Sequence, residues 1–336
     1  MGLAGYLAKR LLLSIPVLLG TTFITFFIAR VAVPDPARAW AGVKASTSAL
    51  AAITARYHLN APLYVQYYYY MHGLVTGDWG ISPTTGRPVL SDIEFFFPST
   101  IELALVAFLI TVILGIALGV IAASLYNTKV DHTIKVLYLT GYSSPPFFVA
   151  IALLYVLGFV LHIFPTEGEL STSLSPPAHI TGMYIVDSVL TGNWVDLKDT
   201  VAHIILPAFA LALTYFGIIT RVTRTSMYEV LQKDFIRAAY AKGLKRRTVI
   251  WVQALRNALI PTTTVLGLLL GSLLAGTIVI ETIFSWPGIG YYSTQAILNY
   301  DFPAVMGVTV LFTFSVVFAN LLADVLYTFL DPRIKV

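Results

Sequence analysis

Residues 99–124 read STIELALVAFLITVILGIALGVIAAS and contain one ionisable side chain, that of Glu102. A helix that crosses the hydrocarbon of a bilayer needs about 20 consecutive, mostly apolar residues. This run is long enough and its apolar residues are nearly continuous, whereas the strands of a membrane β-barrel alternate in polarity over about ten residues. It therefore predicts a transmembrane α-helix.

Five other stretches have the same character, which predicts an all-α membrane protein with six transmembrane helices. They are residues 11–33, 136–163, 203–220, 260–283 and 303–329. Of the 336 residues, 57% are hydrophobic and 11% are charged, less than half of the roughly 25% charged residues in soluble domains. The chain has no cysteine, which excludes disulfides and thiolate chemistry. We expect a single transmembrane domain over residues 1–336.

The distribution of basic residues predicts the orientation in the cell membrane. If the N-terminus is cytoplasmic, most of the 21 lysines and arginines fall in cytoplasmic segments and most acidic residues fall outside, as the positive-inside rule requires. Both termini are then cytoplasmic, and residues 34–98 and 164–202 form extracytoplasmic segments. The net charge is +4. The excess basic residues lie in the cytoplasmic segments, where topology alone explains them, so no nucleic-acid partner is expected.

Three local features concern the first span and the two outer segments. Lys9 and Arg10 before the first apolar run also suit a cleaved signal peptide, but the run exceeds the 7–15 apolar residues of such a segment, which favours its retention. Residues 34–98 predict a small folded cap, with tyrosines 67–70 at the membrane interface. Residues 164–202 predict one amphipathic helix near 184–190.

Residues 221–259 form the predicted cytoplasmic loop. Met227, Leu231, Phe235 and Ala238 recur at helical spacing, which predicts one helix that ends at Gly243, a residue typical of helix C-termini. A second short helix is predicted over residues 248–259. The small side chains near Gly243 suit close approach by another protein, but a basic interfacial helix that only sets topology explains the pattern equally well.

This loop reads EVLQKDFIRAAYAKGLKRRTVIWVQALRNALIP over residues 229–261, and it resembles the cytoplasmic loop of ABC-importer permeases. The family motif places Glu-Ala-Ala three residues before a glycine. Here Arg237-Ala238-Ala239 and Gly243 occupy those positions, and the AKGL and RNALIP sequences resemble the dipeptide/oligopeptide/nickel subclass. Other stretches similar to that subclass are residues 7–37, PLYVQY at 62–67, GDWGIS at 77–82, TGRPV at 85–89, residues 281–303 and residues 321–336.

The resemblance implies an ABC-importer permease-like bundle whose cytoplasmic coupling-helix loop, residues 221–259, docks onto an ATPase. The implied partners are a sister permease, two cytoplasmic ATPase subunits and an extracytoplasmic solute-binding protein. The implied ATPase-coupling residues are Asp234, Arg237, Ala238, Ala239, Lys242 and Gly243. The implied solute is a peptide, with oligosaccharides or nickel as alternatives, and no substrate-binding residue is assigned.

The chain itself is predicted to be a non-catalytic subunit without a cofactor of its own. It contains no G-x-x-x-x-G-K-[ST] phosphate loop, so ATP and Mg²⁺ are expected on the partner ATPases. A secondary transporter would need paired intramembrane charges or symmetric broken helices, and the sequence shows neither. A metal-dependent intramembrane enzyme would need a motif such as H-E-x-x-H, whereas the histidines are scattered.

Polar residues in the predicted spans have local interpretations. Ser99 and Glu102 match a capping box at the start of a helix. Arg30 and Glu281 lie near the outer ends of their spans, where they are expected to reach lipid headgroups. Asp324 is expected to hydrogen-bond within the bundle or, alternatively, to line the pathway.

Small residues and prolines predict how the spans pack and bend. Gly115, Gly119 and Ala123 recur every four residues, a spacing that lets two helices approach closely. Gly267, Gly271 and Ala275 repeat the pattern in the fifth span. The pattern suits either packing within the chain or contact with a partner. The sequence Ser-Ser-Pro-Pro at residues 143–146 predicts a kink in the third span.

Overall fold

The computed structural model describes residues 3–32, 35–41 and 46–330 and is built almost entirely of helices. Within these ranges there is no β-sheet, and one isolated bridge joins Ile81 to Pro88. The α-helices are α1 (Leu3–Phe27), α2 (Pro36–Ala41), α3 (Thr47–Arg56), α4 (Leu63–Thr76), α5 (Val89–Ser124), α6 (Lys129–Ser143), α7 (Pro146–Leu153), α8 (Tyr184–Thr191), α9 (Trp194–Leu231), α10 (Asp234–Ala241), α11 (Arg246–Thr248), α12 (Leu255–Ile283), α13 (Ile289–Leu298) and α14 (Phe302–Leu330). Three π-helical segments, Ile28–Ala32, Leu154–Val160 and Val249–Ala254, continue α1, α7 and α11. The all-α class predicted from the sequence is confirmed.

Five helices in the described part of the chain are long and apolar enough to cross a membrane. They lie at Lys9–Val31, Val89–Ser124, Trp194–Leu231, Arg246–Leu273 and Phe302–Leu321. A sixth crossing depends on counting α6 and α7 as one span, because the helical segments on either side of their junction are bent by 109°. The described residues therefore contain five candidate spans, or six if this bent pair crosses as one, and the predicted count of six stays a prediction.

The bend lies at the predicted proline pair. Ser144 is extended, with φ −83° and ψ 136°, and α7 begins at Pro146. Proline disfavours helical geometry in the residue before it, so neither Ser144 nor Pro145 continues α6. The Ser144 hydroxyl donates to the Thr140 carbonyl at 2.8 Å, which satisfies one of the carbonyls at the end of α6.

Elsewhere the helices run through their prolines. The helix predicted at residues 99–124 begins at Val89 and continues through Pro98. Likewise α9 passes Pro207 and extends well beyond the predicted span of 203–220 at both ends. In lipid the backbone has no water to bond, so a continuous helix is retained around a proline where neighbouring groups satisfy the freed carbonyls.

The core lies where α5, α9 and α12 meet. Its buried members include Leu103, Leu206, Leu211, Leu273 and Trp286. A Cβ atom on Gly115 would lie 2.6 Å from Ile219 Cγ2, and one on Gly119 would lie 2.6 Å from Thr223 Cβ. The glycine pattern in α5 therefore serves packing against α9 of the same chain.

The equivalent glycines of α12 also pack within the chain where they are described. A Cβ atom on Gly271 would lie 3.4 Å from Ala319 Cβ of α14. The side chain of Ala275 lies outside the described residues, as does that of Asp324, so the expectations for these two side chains stay predictions. The helix predicted near residues 184–190 is confirmed as α8.

Helices α2, α3 and α4, here called the cap, cover the C-terminal end of α1. The indole of Trp40 meets the ring of Tyr57 edge-on at 4.4 Å between centroids. The ring of Tyr70 stacks on Phe26 of α1 at 5.8 Å, and the Tyr67 hydroxyl lies 3.1 Å from that of Thr22. The predicted folded cap is thus present, and two of its four consecutive tyrosines pack on α1.

Candidate functional site

The candidate coupling segment comprises α10 and the turn that follows it. The single helix predicted from Met227 to Gly243 is wrong, because α9 ends at Leu231 and α10 begins at Asp234. Lys233 between them is extended, with φ −72° and ψ 150°. The break redirects the chain so that α10 packs back against the bundle instead of continuing the line of α9.

The face of α10 that packs inward carries Ile236 and Ala239. Both belong to a buried cluster with Met227 of α9 and with Val249 and Ala254 of the π-helical segment before α12. The stripe predicted through Met227, Leu231, Phe235 and Ala238 does not form one face, because Phe235 and Ala238 are exposed whereas Met227 is buried. The inward residues lie one position further along the chain.

Five of the six predicted coupling residues lie together on the exposed side of this segment. Asp234 and Arg237 form an exposed ion pair at 3.4 Å, and Ala238, Lys242 and Gly243 are exposed as well. Ala239 is separated from them, since it is only 8% exposed. Its small size is explained by packing inside the chain and needs no partner.

Gly243 ends α10 in the left-handed conformation, as its position in the sequence predicts. Its φ is +75°, its N–H donates to the Tyr240 carbonyl at 2.9 Å, and the Leu244 N–H donates to the Ala239 carbonyl at 3.3 Å. This pair of bonds is the Schellman arrangement, which favours glycine. A Cβ atom on Gly243 would meet nothing within 4 Å in the chain itself.

Sequence reasoning missed two further side chains on α10. Phe235 and Tyr240 are 43% and 44% exposed, so an apolar ring lies on either side of the buried face. Tyr240 could have been identified from the sequence, because an aromatic residue in a predicted water-exposed loop indicates a contact surface. Phe235 belongs to the predicted apolar stripe, whose spacing from Leu231 assumes one continuous helix.

An ion-pair cluster holds the helices behind the coupling segment together. Asp131 of α6 is fully buried and accepts two hydrogen bonds from Arg224 of α9, at 2.7 and 2.9 Å. Lys135 lies 3.0 Å from the same carboxylate. Arg246 of α11 donates to the Ser124 carbonyl at the end of α5, at 3.1 Å. These contacts fix α5, α6, α9 and α11 relative to one another near α10.

At the opposite end of α5, buried carboxyl groups join the outer loops to the helices. Glu102 accepts a hydrogen bond of 2.8 Å from the Ile185 N–H in the first turn of α8. Ser99 donates to Glu169 at 3.0 Å. The predicted capping box is wrong, because both residues lie well inside α5 and bond to segments remote in sequence.

Glu169 and Glu102 form a buried pair of carboxyl groups. Glu102 Oε2 and Glu169 Oε1 meet no N–H or O–H donor among the described residues, and the two carboxyl groups lie within hydrogen-bonding reach of each other. Burial raises the pKa of Glu169 well above its usual range, and the charge of Glu102 raises it further. A protonated Glu169 that donates to Glu102 satisfies both oxygens. Nothing in the local sequence pattern predicts this pair.

Glu281 is also buried and does not reach headgroups as predicted. It accepts hydrogen bonds from the N–H groups of Gly290 and Tyr291, at 2.6 and 3.1 Å, in the first turn of α13. The Trp286 indole donates to the Ser99 carbonyl at 3.0 Å. Together these bonds anchor the segment between α12 and α13 on α5. In the described part of the chain no three His, Asp or Glu side chains are grouped as metal ligands.

The raised pKa of Glu169 predicts a pH dependence. The folded chain keeps a proton on Glu169 that the unfolded chain releases above a pH of about 4.3, the ordinary pKa of a glutamic acid, so this group's contribution to stability falls as pH rises. We expect the thermal midpoint of the wild-type chain to decrease relative to that of Glu169→Gln between about pH 4 and pH 8. The exposed neighbour Glu167→Gln is the control, and parallel curves for wild type and Glu169→Gln would contradict the prediction.

Comparison with known proteins gives a consistent result over nearly the whole chain. Residues 115–336 match the family described as "Binding-protein-dependent transport system inner membrane component", and residues 3–104 match the N-terminal model of such membrane components. The chain is 43% identical to the probable D,D-dipeptide transport system permease protein DdpB of Escherichia coli (strain K12), over 95% of this chain and 94% of that protein. It is 40% identical to the dipeptide transport system permease protein DppB of Alkalihalophilus pseudofirmus, over 98% and 99%. It is 36% identical to the oligopeptide transport system permease protein AppB of Bacillus subtilis (strain 168), over 99% and 100%.

Proposed function

The chain belongs to the family of binding-protein-dependent transport system inner membrane components, and from this membership we propose that it forms part of the pathway through which an ATP-driven importer moves short peptides into the cell. It is a multi-pass membrane protein and a translocation subunit, not an ATPase. The observation that carries the choice of solute is the 43% identity, over 95% of the chain, to a permease named for D,D-dipeptides. Dipeptide and oligopeptide names on the other two relatives favour peptides over oligosaccharides or nickel.

The proposed complex contains a sister permease, two cytoplasmic ATPase subunits that bind ATP and Mg²⁺, and an extracytoplasmic binding protein that delivers the peptide. The segment formed by α10 and Gly243 is the proposed contact with one ATPase. Its exposed ion pair, its exposed small residues and its half-exposed rings support this role. An exposed helix of this kind can lie in a groove of a partner protein, with its apolar side chains as anchors.

The proposed orientation places α10 in the cytoplasm and the cap outside. The charge asymmetry of the sequence supports this orientation. Because the chain has no cysteine, single cysteines can be introduced and probed with an impermeant maleimide. We expect Thr172→Cys, which is exposed, to react in intact cells and Thr248→Cys to react only after permeabilisation. Labelling of Thr248→Cys in intact cells would show that the proposed orientation is wrong.

Reconstitution tests the function itself. The chain is purified together with its co-expressed sister permease and ATPases, placed in liposomes, and supplied with its binding protein and radiolabelled dialanine. We expect ATP-dependent uptake by the complex and no nucleotide binding by the isolated chain. ATP-independent uptake, or stoichiometric ATP binding by the isolated chain, would refute the proposed division of labour. Uptake of nickel or an oligosaccharide in place of dialanine would refute the choice of solute.

A further inference from the structure

A cavity of about 330 Å³ lies between the cap, the end of α1 and the start of α14. Arg30 lines it from the π-helical segment Ile28–Ala32, and its side chain is buried, with the residue only 9% exposed. The sequence suggested that Arg30 would reach lipid headgroups. The folded cap instead encloses it.

Aromatic rings surround the guanidinium group. Its central carbon lies 4.0 Å from the ring centroid of Trp40, 5.5 Å from that of Phe26 and 5.9 Å from that of Tyr57. Contacts of this kind stabilise a cation. They cannot replace the hydration that a buried ion loses, and they provide no hydrogen-bond acceptor in the plane of the guanidinium.

Two of the three donor nitrogens of this side chain lack protein partners among the described residues. Arg30 Nε and Nη1 are buried and make no hydrogen bond within the described residues, and the same is true of Trp40 Nε1 and the Tyr70 hydroxyl. Among the described residues that line the cavity, Gln66 Oε1 is a buried acceptor without a partner. The unsatisfied groups are therefore mostly donors, which suits an acceptor-rich ligand and excludes a cation.

The charged residues around the cavity also favour an anionic ligand. Arg30 and Arg56 both line it, and Asp78 is the single acidic residue among the described residues of its wall. Asp78 is already paired with Arg56 at 3.4 Å. The charge of Arg30 is thus left without an anion in the described part of the chain.

From this arrangement we infer that the cavity binds an oxyanion, a carboxylate or a phosphate group, between Arg30, Trp40 and Tyr70. A guanidinium binds such groups through strong, charge-assisted hydrogen bonds, and one oxyanion has enough lone pairs to accept from the indole and the phenol as well. The acceptor of Gln66 suits a ligand that carries an N–H or O–H beside its anionic group. Two sources have this chemistry: the C-terminal carboxylate of a short peptide and the phosphate of a lipid headgroup such as phosphatidylglycerol.

The experiment uses the full chain in nanodiscs and follows thermal unfolding and tryptophan fluorescence. In neutral phosphatidylcholine discs, dialanine and dialanine amide are titrated separately, because they differ only in the carboxylate. In a second arm, phosphatidylglycerol is added to the discs without peptide. Stabilisation by dialanine with at least about tenfold weaker binding of the amide, corresponding to about 1.4 kcal/mol, identifies the peptide source. Stabilisation by phosphatidylglycerol identifies the lipid source.

Variants show whether the response arises in this cavity. Arg30→Gln removes the charge and should reduce the affinity at least about tenfold. Arg38→Gln is the matched control, since Arg38 lies on α2 with its side chain 68% exposed and outside the cavity wall. Tyr70→Phe removes one donor with little change in volume, and it replaces Arg30→Gln if that variant does not fold. The site is overturned if neither anion stabilises the chain, or if the cavity variants respond as the wild type does. Because no ATPase is present, this result is independent of the transport assay.

Discussion

Gly243→Val is expected to abolish peptide-stimulated ATP hydrolysis and uptake by the assembled importer, lowering both at least about tenfold. The residue holds a φ of +75°, and a side chain in the left-handed region costs roughly 1–2 kcal/mol, with a β-branched side chain the least tolerated. The strain misdirects the turn towards Leu244. In addition, valine methyl groups would occupy the space beside α10 where the ATPase is proposed to dock.

One control variant separates the effect of backbone strain from that of contact with the ATPase. Gly243→Asn keeps the left-handed backbone at low cost but adds bulk, and no atom of the chain lies within 4 Å of the added Cβ. Loss of coupling in Gly243→Asn with normal folding of the chain therefore reports contact with the partner. If α10 only sets topology, Gly243→Val transports nearly as well as wild type, and neutralising Lys245, Arg246 and Arg247 disturbs orientation instead. Near-normal uptake by the valine variant would refute the coupling role.

Asp131→Ala is expected to cause the largest loss of stability, about 3–5 kcal/mol, because it removes a fully buried carboxylate and leaves Arg224, whose side chain is only 14% exposed, without its partner. The carboxylate is 0% exposed and accepts from Arg224 at 2.7 and 2.9 Å, with Lys135 at 3.0 Å. The measurement is the free energy of unfolding of the purified chain in detergent or nanodiscs. Asp131→Asn, which keeps two polar atoms, should lie between the alanine variant and the wild type.

Asp35→Ala is the matched control for this ion pair. Asp35 pairs with Arg38 at 3.7 Å, and both side chains are more than half exposed. Exposed pairs contribute about 0–1 kcal/mol, so this variant should unfold like the wild type. A loss of less than about 1 kcal/mol for Asp131→Ala would show that Arg224 and Lys135 find other partners or water, contrary to the expected burial cost.

The helices and the C-terminal stop of α10 were predictable from the sequence. Long apolar runs indicate membrane helices because lipid leaves the backbone no other way to satisfy its polar groups. Gly243 was predictable because few other residues adopt the left-handed conformation at a helix end. The ends of the helices were less predictable. A proline usually interrupts a helix, but Pro98 and Pro207 lie inside α5 and α9.

Contacts between remote segments were not predictable from the sequence. Glu102 was assigned to a capping box because Ser99 lies three residues before it, but its partner Ile185 is 83 residues away. Arg30 and Glu281 were placed at headgroups because they lie near span ends, but the cap and α13 fold over them. The stripe from Met227 to Ala238 is not one face because two residues, Gln232 and Lys233, break the helical phase between α9 and α10.

The packing of α10 has a mechanical consequence. Ile236 and Ala239 share a buried cluster with Met227 of α9, and close-packed interiors are nearly incompressible. A force on α10 therefore passes into α9 without being absorbed locally. Helix α9 has 38 residues and, at a rise of 1.5 Å per residue, a length of about 57 Å. A tilt of about one degree at its Leu231 end displaces Trp194, at the far end, by about 1 Å.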